Sequence, residues 1–151
     1  MKIKEIKFRG LTVGGEWVCG LLARKGEEWF ISNSAGKPFA FQVRPETIGQ
    51  FIGLTDKNGI DIFKGDIVKC FGQSEIPCSD RKFFETITYE YIGTVIFQDA
   101  AYLFKNYLTR EQLIDHRKYF PESDSDIITY FEAFLSVEII GNIFDNPDLL
   151  K

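Results

Sequence analysis

The sequence predicts an α+β fold that is predominantly β, and three observations predict it. Apolar and polar residues alternate with period two in several short runs. Those runs are rich in β-branched and aromatic residues, and the chain carries 15 Phe, ample material for a core. Turn signals built on glycine, asparagine and aspartate separate them.

Taken in order, EWVCGLLA and EWFIS near the start read as strands. In FAFQVR, Phe39, Phe41 and Val43 face one way while Gln42 and Arg44 face the other. GDIVKCF and GTVIFQ continue the strand pattern, and FGQSEIPCSDRK reads as an excursion between strands. TITYEY puts Ile87, Tyr89 and Tyr91 on one face, with Thr86, Thr88 and Glu90 opposite. In SVEIIGNIF, Val137, Ile139 and Ile143 share a face, with Gly141 as its small member.

One helix is expected in LTREQLIDHRKYFP. Thr109 and Gln112 have capping-box spacing, Glu111 lies in the first turn, Arg117 and Lys118 lie in the last, and Pro121 ends it. DIITYFEAFL carries a helical face of Ile127, Ile128, Phe131, Phe134 and Leu135 and reads as a second helix. PESDSD is an exposed acidic loop.

The densest stretch is ETIGQFIGLTDKNGIDIFKGDIV. Counted from Asp56, a calcium loop would need an oxygen ligand, a glycine and a glutamate where Ile60, Asp61 and Ile67 stand. Asp56-Lys57-Asn58-Gly59 is instead expected to be a hairpin turn, with Gly59 at positive φ. Gly49, Gly53, Gly65 and Gly141 serve turns and close backbone approach in the same account.

No catalytic set assembles in the sequence. SAGKPF lacks the first glycine and the Ser/Thr of a phosphate loop, with Ile31 and Pro38 in those places. His116 is the only histidine, so any His-based pair must be built around it. Asp56, Asp61, Asp66 and Asp99 could gather round Mg²⁺, which takes oxygen ligands, but each stands beside a glycine or at a strand end, where acidic residues close turns. The chain is therefore read as no enzyme, with no catalytic, cofactor-binding or metal residues and no cofactor. A Mg²⁺-dependent enzyme is the least favoured alternative.

Phe63, Lys64, Lys69 and Phe71 interleave aromatic and basic residues in IFKGDIVKCF, a pattern that on a β surface could stack bases and neutralise phosphates. The net charge of −4 opposes a general polyanion binder. It is uneven, however: residues 1–72 carry 11 basic and 8 acidic side chains, residues 73–151 carry 7 and 14. Cys19, Cys70 and Cys78 show no Cys-x-x-Cys spacing, so reduced thiols in a cytoplasm are expected. The start MKIKEIKFRG lacks the apolar core of a signal peptide, and no apolar run approaches a membrane span of roughly 20 residues.

ETIGQFIGLTDKNGIDIFKGDIV followed far downstream by VEIIGNIFDNPDLL resembles the YopX family, small proteins largely of phages and prophages. IKFRG and GEWVCG are similar to its beginnings. Residues 73–134 align with no motif and form a less typical insert within a single domain spanning 1–151. The resemblance implies a mostly β fold with an SH3-like, barrel-like part, a bacterial host cytoplasm, and no catalytic residues. On this basis residues 65–71, 93–98 and 137–144 are expected to form a barrel-like core, with the N-terminal strands in an additional sheet. The expected function is that of a non-catalytic accessory protein binding a host or phage protein. Nucleic acid, held by Lys64, Lys69, Phe63 and Phe71, is the alternative, and self-association into a homo-oligomer is a further form.

Overall fold

A computed structural model describes residues 5–33, 40–78, 82–106, 128–129, 131 and 134–150. They fall into two compact units. The first takes the described residues up to Thr55 together with Asp61–Lys64; the second takes Asp56–Ile60 and the described residues from Gly65 onward.

The first unit is an antiparallel sheet of six strands. These are β1 (Phe8–Leu11), β2 (Trp17–Lys25), β3 (Glu28–Asn33), β4 (Ala40–Val43), β5 (Gly49–Thr55) and β6 (Asp61–Phe63), in the order β4-β3-β2-β1-β5-β6. Its buried apolar residues are Ile31, Val43, Phe51, Ile52, Ile62 and Phe63. A single bridge between Thr12 and Val43, with the Arg44 N–H donating to the Leu11 carbonyl at 2.8 Å, links the end of β1 to β4. Thr47 fixes the approach to β5: its buried hydroxyl accepts from the Leu11 N–H and donates to the Arg44 carbonyl. The expected facing of Phe41 with Val43 is only half realised. Val43 is 2% exposed and Phe41 43%, because β4 is an outer strand with a neighbour on one side of most of its length.

The second unit is an antiparallel sheet of five strands. It comprises β7 (Asp66–Pro77), β8 (Phe84–Gln98), β9 (Ala101–Asn106), β10 (Ile128–Thr129) and β11 (Ser136–Asn142), in the order β10-β9-β8-β7-β11. The three segments expected to form a core are indeed neighbours, since β7 lies between β8 and β11. They do not close, however: β10 and β11 are outer strands of an open sheet, and no barrel forms among the described residues. One face is built from Val68, Cys70, Val95 and Phe104, all buried. Phe131 and Phe134 meet the Phe104 ring edge-on, at centroid distances of 6.4 and 5.1 Å. Ile87, Tyr89 and Tyr91 are half-buried and Thr86, Thr88 and Glu90 exposed, as their alternation predicts.

Three sequence expectations are corrected here. The excursion expected over 71–82 is strand as far as Pro77, because residues 67–77 pair continuously with residues 84–94 of β8. The simple alternation through 137–143 is broken by a bulge between Ile139 and Gly141, where one extra residue on β11 shifts Gly141 opposite Ile67. Ile128 and Thr129, expected in a helix, pair with Lys105 and Phe104 of β9. Their β-branched side chains suit that extended state. The helix expected at 109–121 and His116 within it lie outside the described residues. The described helical elements are short 3-10 turns at Pro45–Thr47 and Pro147–Leu150.

The two-residue connection between β8 and β9 carries a testable strain. Gln98 pairs with Ala101, and the intervening Asp99 and Ala100 both have positive φ, 52° and 61°. This is the backbone of a primed hairpin turn, whose second position favours glycine. An L-residue in that conformation costs about 1 kcal/mol or more. Ala100→Gly is expected to raise stability by about 0.5–1 kcal/mol, since the relief exceeds the entropy of an added glycine. Equilibrium denaturation of the two proteins measures it, and a destabilised variant would refute the turn assignment.

Candidate interaction site

The second unit carries a long β-arm. Among the described residues, β11 pairs with β7 as far as Phe71, opposite Ser136, and β9 pairs with β8 over Gly93–Gln98. Beyond those limits Gly72–Pro77 and Phe84–Ile92 continue with no third strand among the described residues. The Cys78 N–H donates to the Phe83 carbonyl at 2.8 Å and closes the end of the arm. Phe83 and Phe84 stand there 68% exposed. Along the arm Tyr89 lies opposite Gly72, and a Cβ on Gly72 would overlap the Tyr89 ring. The missing side chain thus makes room for an aromatic cover over the strand. Tyr89 and Tyr91 rings are 5.1 Å apart, and burial pushes the Tyr91 phenol up to about 12, with the charge on Tyr89 adding to it.

At the base of the arm, Lys57, Lys69, Phe71, Glu90, Ser136 and Glu138 line an open groove of about 230 Å³. Register explains the grouping. Lys69 lies opposite Glu138 on β11, while Phe71 lies opposite Ser136 on one side and Glu90 on the other. Lys57 Nζ is 2.9 Å from Glu138 Oε2 and Lys69 Nζ is 3.6 Å from Glu90 Oε1. Both cations therefore have a carboxylate beside them, and the groove is balanced in charge rather than basic.

The turn at Asp56 borders this groove. Asp56 Oδ1 accepts from the N–H groups of Asn58 and Ile60 at 2.8 and 3.0 Å, and Oδ2 accepts from the Ile139 N–H at 3.2 Å. The Lys57 N–H donates to the Val137 carbonyl at 2.9 Å. Burial pushes the Asp56 carboxyl up, but the backbone donors of Ile60, Ile139 and Asn58 together outweigh it and hold the group below its ordinary value. Gly59, at φ 79°, takes the left-handed position expected of it.

The residues singled out for nucleic acid are divided between the two units. Phe63 and Lys64 belong to the first unit, Lys69 and Phe71 to the second. Phe63 is 6% exposed, so no base can stack on its ring. It lies 5.9 Å from the Phe51 ring, and Arg9 covers it at 5.1 Å. Lys64 is exposed; Lys69 and Phe71 sit in the groove just described.

Each of the four aspartates has its own setting. Asp56 binds backbone, Asp61 pairs with Lys7, Asp66 is 1% exposed, and Asp99 sits in the strained turn. Asp61 raises the Lys7 ammonium above its ordinary value, against the burial that would lower it. No three His, Cys, Asp or Glu side chains among the described residues are grouped to hold a metal. Burial pushes the Cys70 thiol up to about 12, which leaves it inert at neutral pH. No helix among the described residues is long and apolar enough to cross a membrane.

Sequence reasoning missed the arm and its tip. The signal was present: the alternation of TITYEY is preceded by Phe83 and Phe84, and SEIP upstream can mirror it. The Pro77 and Cys78 region, read as a loop, hid the pairing. No curated protein matches the chain. One protein family, described as YopX protein, matches residues 21–151, a span holding every strand of the second unit and most of the first, and the chain belongs to that family.

Proposed function

We propose that this protein is a non-catalytic phage or prophage accessory module that works in the host cytoplasm by binding another protein through its β-arm. The observation that carries the reading is the arm itself: two strands with no third beside them among the described residues, ending in two phenylalanines each 68% exposed. A two-stranded ribbon is marginally stable in water, and a further strand supplies both main-chain hydrogen bonds and a covered face. The arm's described charges are Glu75, Lys82, Glu85 and Glu90, which favour a protein over a phosphate backbone.

The test is a pull-down from host lysate with the tagged protein and with its Phe83→Ser/Phe84→Ser variant, each with and without nuclease. The expected result is a stoichiometric protein that survives nuclease and is lost from the variant. Nucleic acid recovered equally by both proteins would overturn the reading and turn attention to Lys64 and Lys69.

A further inference from the structure

Charges of opposite sign alternate in a line across the groove at the base of the arm: Lys57 of the turn, Glu138 of β11, Lys69 of β7 and Glu90 of β8. The two pairs are unequal. Lys57 Nζ stands 2.9 Å from Glu138, within hydrogen-bonding distance, whereas Lys69 Nζ stands 3.6 Å from Glu90, beyond it. Glu90 is also the most exposed of the four charged side chains. Loose surface pairs of this kind exchange partners readily. An incoming cation can take Glu90 from Lys69, and Lys69 still has Glu138 directly opposite it on β11. An anion bridging Lys57 and Lys69 would instead lie against Glu138, which stands beside both.

The rest of the lining decides which cation. Phe71 lies two residues from Lys69 on β7, so the two share a face; across from Phe71 stand Glu90 on β8 and Ser136 on β11. An aromatic ring is thus flanked by a carboxylate on one side and a hydroxyl on the other. A guanidinium is planar: it lies flat on a ring while its fork of N–H groups donates sideways to a carboxylate. An ammonium on a flexible stem offers neither the plane nor the fork. The volume of about 230 Å³ is below the roughly 300–1,000 Å³ of a small-molecule pocket and suits one long side chain. The balance of charge also draws cations to this half of the chain, since residues 73–151 carry 14 acidic and 7 basic side chains.

We propose that the groove is a seat for an arginine side chain of a protein partner, with its guanidinium stacked on Phe71 and forked onto Glu90. The inference rests on the protein-binding reading above and names the side chain that the partner inserts at the foot of the arm.

The test is a titration of the full chain, followed through its amide NMR spectrum, with N-acetyl-arginine N-methylamide and with the matching lysine and citrulline compounds. Citrulline keeps the plane and removes the charge. Arginine is expected to shift the amides around Phe71, Glu90 and Ser136 at millimolar concentration, with lysine several-fold weaker and citrulline without effect. Glu90 is exposed, so Glu90→Gln leaves the packing of the strands intact, and it should weaken arginine binding several-fold. Glu85→Gln, an exposed carboxylate further along the arm, should leave binding unchanged. No shift in the groove, equal binding of lysine, or arginine binding that survives Glu90→Gln overturns the seat. If the seat fails while the Phe83→Ser/Phe84→Ser comparison still shows a captured protein, the protein-binding reading stands without it. Arginine held in the groove with no protein captured from lysate overturns that reading and leaves the arginine site.

Discussion

Phe104→Ala should be the most damaging single substitution in the second unit, lowering its stability by about 3–5 kcal/mol. Phe104 is fully buried, lies opposite Val95 on β8, and receives the edges of Phe131 and Phe134. Truncation removes the ring's own burial and opens a cavity that two aromatic neighbours on one side cannot fill without moving. Loss of two edge-to-face contacts adds about 0.5–1.5 kcal/mol each to the area lost. The natural chromophores separate the two units for this measurement. Trp17 and Trp29, the only tryptophans, belong to the first unit, whereas all six tyrosines lie at or after residue 89. Denaturation followed by tyrosine near-ultraviolet dichroism is expected to shift to much lower denaturant in the variant. A tyrosine transition that stays in place would show that Phe104 is not the centre of this core.

The parts of the fold legible in the sequence are those where one residue's chemistry decides local conformation. Period-two alternation marked Ile87, Tyr89 and Tyr91 because a strand sorts neighbours onto opposite faces whatever lies beside it. Asp56 and Gly59 marked a turn because a short carboxylate and a residue tolerant of positive φ act within four residues. What stayed hidden depended on partners far along the chain. The bulge at Ile139 is a mismatch between β11 and β7 and has no local signature. Ile128 and Thr129 fit a helical face equally well; pairing with β9 decided for strand. Phe63 looked available for stacking because its burial is contributed by Phe51 and Arg9, distant in sequence. The arm was missed for a related reason: Pro77 and Cys78 carry the marks of a loop, and only the register with β8 shows that the strand continues up to them.

Asp56→Ala is expected to cost about 2–4 kcal/mol, because it orphans backbone donors that now meet a charged acceptor, each such bond contributing about 1.5–3 kcal/mol before relaxation and rehydration. The carboxylate does two things at once. Through Oδ1 it holds the turn over Asn58 and Ile60, and through Oδ2 it covers the Ile139 N–H on the outer edge of β11. The same loss should therefore expose a strand edge and increase aggregation on heating. Asp56→Asn separates charge from shape, since the amide retains one oxygen acceptor and loses the other. The sign of the pH effect follows from the direction of the shift. Asp56 is held below its ordinary value, so the folded state binds its proton less readily than the unfolded chain does. Its contribution is complete above the unfolded carboxylate value of about 3.9 and is lost as pH falls through the lower folded value. The melting temperature of the wild type should therefore exceed that of Asp56→Asn by a constant margin near neutrality, and the margin should shrink below about pH 4. A gap that persists undiminished into acid would mean that Asp56 acts through its shape alone, and that its charge does not hold the turn against β11.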